Sequence, residues 1–111
     1  MPAPKIDFCI YAMLSTSHIT KDDSVLLTKL SSDDSESIEK GILLTCYAHP
    51  AGYFMPLDYA VVDYSQLLLL MAAGYSLAFV QLISRLSDQG VELLQMDSDG
   101  EIVDEFPTFD W

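Results

Sequence analysis

The residues best suited to nucleophilic chemistry follow an apolar run near the beginning of the chain. Ser15, Ser17 or Cys9 could supply the nucleophile, and His18 could act as its general base. That chemistry requires a nucleophile, a base and an orienting acid that converge in space. No glycine-flanked elbow is present to hold a hydroxyl in place. We therefore predict no catalytic residue, and a small enzyme that uses His18 is kept as a third functional hypothesis.

A zinc site is the second kind of chemistry to test against the sequence. Cys46 and His49 have the spacing of a ligand pair. A structural zinc site needs two such pairs, and we expect Cys9 and His18 to lie on different elements. The sequence therefore predicts two buried free thiols and two ordinary histidines, with neither a metal nor another cofactor.

The motif Asp97-x-Asp99-Gly100 resembles the middle of a calcium-binding loop. If these carboxylates took the third and fifth ligand positions, the twelfth position would be Phe106, which cannot supply the bidentate carboxylate that calcium requires. We interpret the motif as a hairpin turn.

Charge is the most unusual property of the sequence. Seventeen Asp and Glu face five Lys and Arg, which gives a net charge of −12. Such a charge disfavours binding to nucleic acid or to an anionic membrane, and it favours a basic partner. Solubility alone would explain the same residues. The acids form two groups, one around the first helix and one in the final quarter, where from Asp88 onward there are eight acids and no cation.

The hydropathy pattern predicts one α+β domain over residues 1–111. We expect a small, mainly antiparallel sheet of three to five strands, with two or three helices on one face. The predicted strands are residues 6–14 (the central strand), 41–48, 53–57, 91–96 and a short hairpin return at 101–103. Pro56 limits the third of these to an edge position or an early stop.

Cap residues and glycines place the predicted helices. Thr20 and Asp23 resemble a capping box, which predicts a helix over residues 21–31. Ser65 and Ser76 are expected to cap two further helices, over residues 65–73 and 76–89, each followed by a glycine. The polar stretch 31–40 is predicted to be a mobile loop.

Two features bear on the location of the protein in the cell. Residues 64–84 carry no formal charge, but glycine and glutamine interrupt them, so we expect a pair of core helices and no transmembrane span. The first five residues lack the basic and apolar blocks of a signal peptide. We therefore expect a cytoplasmic protein.

The segments LSTSHIT (residues 14–20) and DSDGEIVDEFPTFDW (residues 97–111) resemble an uncharacterised family of small bacterial and mobile-element proteins. The resemblance implies a strand that ends in S-T-x-H-I, and a chain that closes on D-x-D-G followed by T-F-D-W. It also implies a role in conflict or defence, without naming an activity. If the shared positions cluster, His18 and the C-terminal tail should touch and hold the fold together.

These observations lead to a function that depends on binding. The first hypothesis is a non-enzymatic inhibitor of the anti-CRISPR or anti-restriction kind, whose acidic face imitates nucleic acid and occupies a basic surface of a host nuclease or CRISPR effector. The alternative is an antitoxin or immunity protein that neutralises a basic toxin. Either would act as a monomer or homodimer. The predicted partner-binding residues are Asp97, Asp99, Glu101, Asp104, Glu105, Asp110, Asp33, Asp34 and Glu36.

Overall fold

The computed structural model describes residues 9–58 and 60–111. Four strands form one open, mixed sheet, and four helices complete an α+β fold, so the predicted fold class is confirmed. A short 3₁₀ turn (Thr16–His18) follows the first strand. In chain order the elements are β1 (Tyr11–Ser15), α1 (Lys21–Ser32), α2 (Ser35–Glu39), β2 (Tyr47–His49), β3 (Gly52–Pro56), α3 (Tyr64–Ala72), α4 (Leu77–Asp88) and β4 (Leu93–Asp97).

The strands lie in the order β1-β4-β3-β2. β1 runs parallel to β4, with Leu14 opposite Met96. β4 and β3 are antiparallel, with Met96 opposite Tyr53, and β3 pairs with β2 as an antiparallel hairpin. Because two of the three pairings are antiparallel, the sheet is mainly antiparallel, as predicted.

The hydrophobic core lies between one face of the sheet and the three longer helices. Leu94 and Met96 of β4 are fully buried, and Met55 of β3 lies beside them in register. α4 contributes the most to this core because its apolar residues recur on one broad helical face. Its buried residues are Phe79, Val80, Leu82, Ile83 and Leu86, while α1 adds Leu27 and Leu30 and α3 adds Leu70.

Side-chain caps begin the helices. Thr20 and Asp23 form the predicted capping box of α1, and Ser76 caps α4 by accepting a hydrogen bond from the Phe79 N–H at 3.1 Å. The prediction that Ser65 caps α3 is wrong. The cap is Asp63, whose Oδ1 accepts hydrogen bonds from the Gln66 N–H at 2.9 Å and the Ser65 hydroxyl at 2.7 Å.

Two strand predictions need correction. The first strand is not central: β1 lies at one edge of the sheet with Tyr11 and Met13 exposed, while residues 6–8 of the predicted strand lie outside the described residues. The second strand is reduced to β2. The side chains of residues 42–46 alternate between buried and exposed, but these residues lie outside the ladder. Pro56 ends β3 early, as predicted, although β3 occupies an inner position of the sheet.

The stretch 31–40 is not a simple loop, because α1 continues to Ser32 and α2 follows almost at once. An ion pair between Glu36 of α2 and Lys29 of α1 connects the two helices, and a second pair between Glu36 and Lys40 spans the end of α2. A scan for apolar periodicity could not detect these contacts. The predicted hairpin return is also wrong. After the turn at Asp97–Gly100, Glu101 forms a parallel bridge with Leu14 of β1 and does not pair with β4.

The uncharged stretch 64–84 forms the expected helix pair, α3 and α4, separated at Gly74, whose φ of +107° suits glycine. Within residues 9–58 and 60–111, no helix is long and apolar enough to cross a membrane.

Candidate acidic interface

The C-terminal tail, which follows β4 from Ser98 to Trp111, is held to β1 and to the turn after it by hydrogen bonds between backbone atoms. The Ser15 N–H donates to the Glu101 carbonyl at 2.8 Å, and the Phe109 N–H donates to the Ser17 carbonyl at 2.8 Å. Immediately before the first of these contacts, Gly100 packs so closely on β1 that an added Cβ would lie 2.4 Å from the Leu14 carbonyl. The glycine of the D-x-D-G motif is therefore required by close contact between backbones.

His18 joins the tail to the body of the protein. Its Nε2 accepts a hydrogen bond from the Val103 N–H at 3.0 Å, so the ring proton lies on Nδ1 and is donated to the Pro107 carbonyl at 2.8 Å. The ring is 1% exposed and makes an edge contact with Phe106. The expected contact between the histidine and the tail is confirmed. Both ring nitrogens are occupied by backbone groups in this arrangement, so an enzyme that used His18 would first have to open the tail.

Two aromatic residues of the tail contact the body of the protein. Phe106 is buried, with the Arg85 guanidinium 5.3 Å from its ring centroid, and the Trp111 indole N–H donates to the Ile19 carbonyl at 2.9 Å. Arg85 also pairs with Glu105 at 2.7 Å. The tail is thus fixed at several points, and the charge of Glu105 is balanced within the protein.

Most of the predicted partner-binding carboxylates in the tail face solvent. Asp97 differs from the others. It is half-buried, and its two oxygens accept hydrogen bonds from the Asp99 N–H and the Gln95 side-chain amide. With Glu105 paired to Arg85, the side chains left for a partner are Asp99, Glu101, Asp104 and Asp110. We call these four residues the tail acids.

The predicted acids beside the first helix are used mainly within the protein. Asp33 accepts hydrogen bonds from the N–H and the hydroxyl of Ser35, which lower the pKa of its carboxyl. Glu36 lies between Lys29 at 2.5 Å and Lys40 at 3.0 Å, and hydrogen bonds from these two ammonium groups lower its pKa to about 2. Asp34 is exposed and precedes α2 as its N-cap residue without a side-chain cap hydrogen bond.

Glu101 and Asp34 lie near opposite edges of the sheet. Glu101 pairs with the free edge of β1, while Asp34 lines a shallow pocket with Thr45 and Tyr47 at the β2 edge. Four interstrand steps separate Glu101 from β2, which amounts to about 19 Å. The predicted site therefore divides into two regions. One holds the four tail acids, and the other holds Asp33, Asp34 and Glu36, of which Asp33 and Glu36 are engaged within the protein.

The other reactive residues are dispersed. Cys46 is buried, and burial raises the pKa of its thiol to about 12. The prediction that Cys9 is buried is wrong, because it is exposed beside Glu92, whose carboxylate raises the pKa of the thiol through a hydrogen bond. In the part of the chain that the structure describes, no three His, Cys, Asp or Glu side chains are placed to hold a metal ion.

One buried carboxylate has a role that the sequence showed only in part. Asp23 is 0% exposed, and its oxygens accept hydrogen bonds from the Thr20 N–H at 3.0 Å, the Ser76 N–H at 2.7 Å and the Ser76 hydroxyl at 2.5 Å. The capping-box pattern identified its local role. Its second role, at the beginning of α4, depends on tertiary packing across 53 residues of sequence.

The family comparison covers almost all of the fold described above. Residues 11–111 match the family of unknown function DUF5983, C-terminal domain. The chain belongs to this family. The matched region begins with β1 and includes both segments on which the resemblance to an uncharacterised family was based. Neither the curated proteins nor the solved structures contain a match to the chain.

Proposed function

We propose that this chain is a non-enzymatic protein inhibitor of the anti-CRISPR or anti-restriction kind. In this proposal it occupies the basic nucleic-acid-binding surface of a host nuclease or CRISPR effector. The observation that supports it is that the tail acids project from a backbone fixed at several points to β1 and to the turn after it.

Fixed carboxylates suit this role better than mobile ones. A disordered acidic tail would lose conformational entropy when it binds, whereas a segment already attached to the body of the domain loses much less. The negative field of a chain with net charge −12 also increases the rate of encounter with a basic surface. The tail acids would then take the places of successive phosphates in the groove of the target.

The same charge favours one class of partner. A basic protein is attracted, while nucleic acid and anionic membrane surfaces are repelled, so the inhibitor would bind its target directly. A cytoplasmic location follows from the location of such targets. No catalytic step and no cofactor are needed, because occupation of the groove is enough to exclude nucleic acid.

The test compares two triple variants that change the net charge by the same amount. The first is D99N/E101Q/D104N in the tail, and the second is the control D22N/E39Q/D88N, whose three residues are exposed elsewhere. Each purified full-length protein is immobilised and used to capture partners from a lysate of a host that carries CRISPR and restriction nucleases. Captured proteins are identified by mass spectrometry, and their nuclease activity is measured with added protein.

We expect the unaltered chain and the control triple to capture and inhibit the same basic nuclease, with DNA competing for the site. We expect the tail triple to bind it at least about tenfold more weakly at low salt. Equal binding by the two triple variants would show that the tail acids do not form the interface. Capture of no nucleic-acid-binding protein would count against the proposed function itself.

A further inference from the structure

Among the described residues, the face of the sheet that points away from the core carries half-buried and exposed side chains. Its side chains alternate along the strands with those of the core. Tyr47 is 61% exposed and Tyr11 is 50% exposed, each on an edge strand of the sheet. We call the following set the open sheet face: Tyr11 and Met13 of β1, Leu93 and Gln95 of β4, Phe54 of β3 and Tyr47 of β2.

The strand register brings these residues side by side. Met13, Gln95, Phe54 and Tyr47 are aligned across the four strands in one row. The Tyr11 hydroxyl donates to the Gln95 side-chain oxygen, and the ring of Phe54 contacts that of His49 at a centroid distance of 4.7 Å. The aromatic rings of the open sheet face are therefore positioned by neighbours on adjacent strands.

Carboxylates border this face at both ends of the strands. At one end, Asp58 and Glu92 line a groove of about 560 Å³ that joins the open sheet face through Pro56 and Leu93. At the other end, Asp97 follows Gln95 on the same face. The four strands described carry no Lys or Arg. Exposed aromatic rings are thus combined with a negative border.

A second copy of the chain fits this face poorly. Face-to-face pairing would bring two negative borders together, each on a molecule of charge −12. Four strands of this length also cover only about 300 Å² in projection. A stable protein interface usually buries about 800 Å² on each partner, so this face is too small to hold a dimer by itself.

We propose that the open sheet face binds an extended, arginine-rich segment of a basic protein. A guanidinium group stacks on an exposed tyrosine ring, and it also pairs with a carboxylate through two parallel hydrogen bonds. Tyr11 and Tyr47 would receive the stacked groups, while Asp58 and Glu92 would bind guanidinium groups that enter the groove. The inference rests on the proposed function only in taking the partner to be basic, and it places a second contact away from the tail acids.

Fluorescence anisotropy with the purified full-length chain tests this directly. The probes are three labelled peptides of equal length, rich in arginine, lysine or glutamate. We expect the arginine peptide to bind, the lysine peptide to bind at least about threefold more weakly, and the glutamate peptide not to bind. Y47A and Y11A should each weaken binding of the arginine peptide by about two- to fivefold. Y47L keeps apolar area but removes the ring, and it should have the same effect.

The matched control is Y64A, because Tyr64 is 76% exposed but belongs to α3 and to none of the four strands. Thermal melts check that each variant is folded. Equal binding of the arginine and lysine peptides, or equal effects of Y64A and Y47A, would overturn the inference. So would a dimer in sedimentation that Y47A dissociates, or tighter binding of a single-stranded oligonucleotide than of the arginine peptide. Loss of peptide binding in D99N/E101Q/D104N but not in Y47A would also overturn it, while leaving the tail acids as the interface.

Discussion

At the scale of single residues, His18 has the most specific role in the structure. Its two nitrogens satisfy one backbone donor and one backbone acceptor from the tail, while its ring fills space against Phe106. From the sequence, His18 was also a candidate general base, because a histidine that follows serines can activate one of them as a nucleophile. The structure shows instead why a histidine suits this position: neutral imidazole donates at one nitrogen and accepts at the other.

Replacement of His18 by alanine should therefore loosen the tail and destabilise the fold. The Val103 N–H and the Pro107 carbonyl lose their partners and the ring leaves a cavity, so we expect the free energy of unfolding to fall by about 2–4 kcal/mol. Urea denaturation measures the change. Trp111 is the one tryptophan of the chain and is already 56% exposed, so release of its indole N–H from the Ile19 carbonyl should appear as a change in the intensity or wavelength of its emission. H49A is the matched control. An equal loss in H49A, or unchanged tryptophan emission in H18A, would contradict this role.

At the scale of elements, Asp23 connects the beginnings of α1 and α4. Each helix presents unpaired N–H groups and a positive dipole end there, and one buried carboxylate serves both. No cation is needed beside it, because the donors come from Thr20 and Ser76. The beginnings of the two helices are therefore fixed relative to each other by this polar contact.

D23N should separate these helix ends at a clear energetic cost. The amide keeps one oxygen, but its NH₂ group would face N–H or hydroxyl donors, so we expect a loss of about 3 kcal/mol in the free energy of unfolding. D22N is the control, because Asp22 is the adjacent carboxylate on α1 and is exposed. Both variants are compared by urea denaturation followed by circular dichroism. A D22N loss as large as that of D23N would mean that overall charge matters and the specific contact does not.

Local signals in the sequence predicted the elements better than their arrangement. The Thr20–Asp23 capping box and the Ser76 cap gave the beginnings of α1 and α4 because the side chain and the backbone that it caps are near each other in sequence. The edge position of β1 could not be predicted in this way. That position depends on contacts with β4 that are distant in sequence, such as the one between Tyr11 and Gln95 across 84 residues. An apolar run in the sequence looks the same whether its strand lies at an edge or at the centre of the sheet.

The candidate site was predictable to a similar extent. Composition identified the acids of the last quarter, and the resemblance led to the expected contact between His18 and the tail. Sequence could not show that Glu36 pairs with Lys29 or that Glu105 pairs with Arg85, because these cations lie 7 and 20 residues away. The pair of Glu36 with Lys40 has i,i+4 spacing, but detecting it depended on predicting α2. The open sheet face was also missed, because the alternation of apolar and polar residues along a strand does not reveal which face of the sheet is left uncovered.

At the scale of the whole molecule, charge opposes folding. A net charge of −12 on a chain of 111 residues repels itself more strongly when compact than when extended. The three ion pairs found in the described part of the chain all lie at the surface, where each contributes little. Stability must therefore come mainly from the apolar core and from the buried polar contacts of His18 and Asp23.

Added salt should accordingly stabilise the protein at neutral pH. Raising NaCl from about 10 mM to 150 mM shortens the screening length from about 30 Å to about 8 Å and weakens repulsion across the domain. We expect the urea midpoint to rise, and D99N/E101Q/D104N to be less sensitive to salt because it carries less negative charge. Midpoints at the two salt concentrations measure both effects. A midpoint that falls with salt would mean that the surface ion pairs outweigh the general repulsion.

The way in which the tail is attached has a consequence for how binding specificity could evolve. The contacts to Ser15, Ser17 and His18 use backbone atoms of the tail, and those atoms remain the same when most side chains change. Mutations at Asp99, Glu101, Asp104 and Asp110 can therefore be sampled at little cost to the fold. A lineage could adapt to a new target by redistributing these charges while Gly100, Phe106 and Trp111 continue to hold the segment in place.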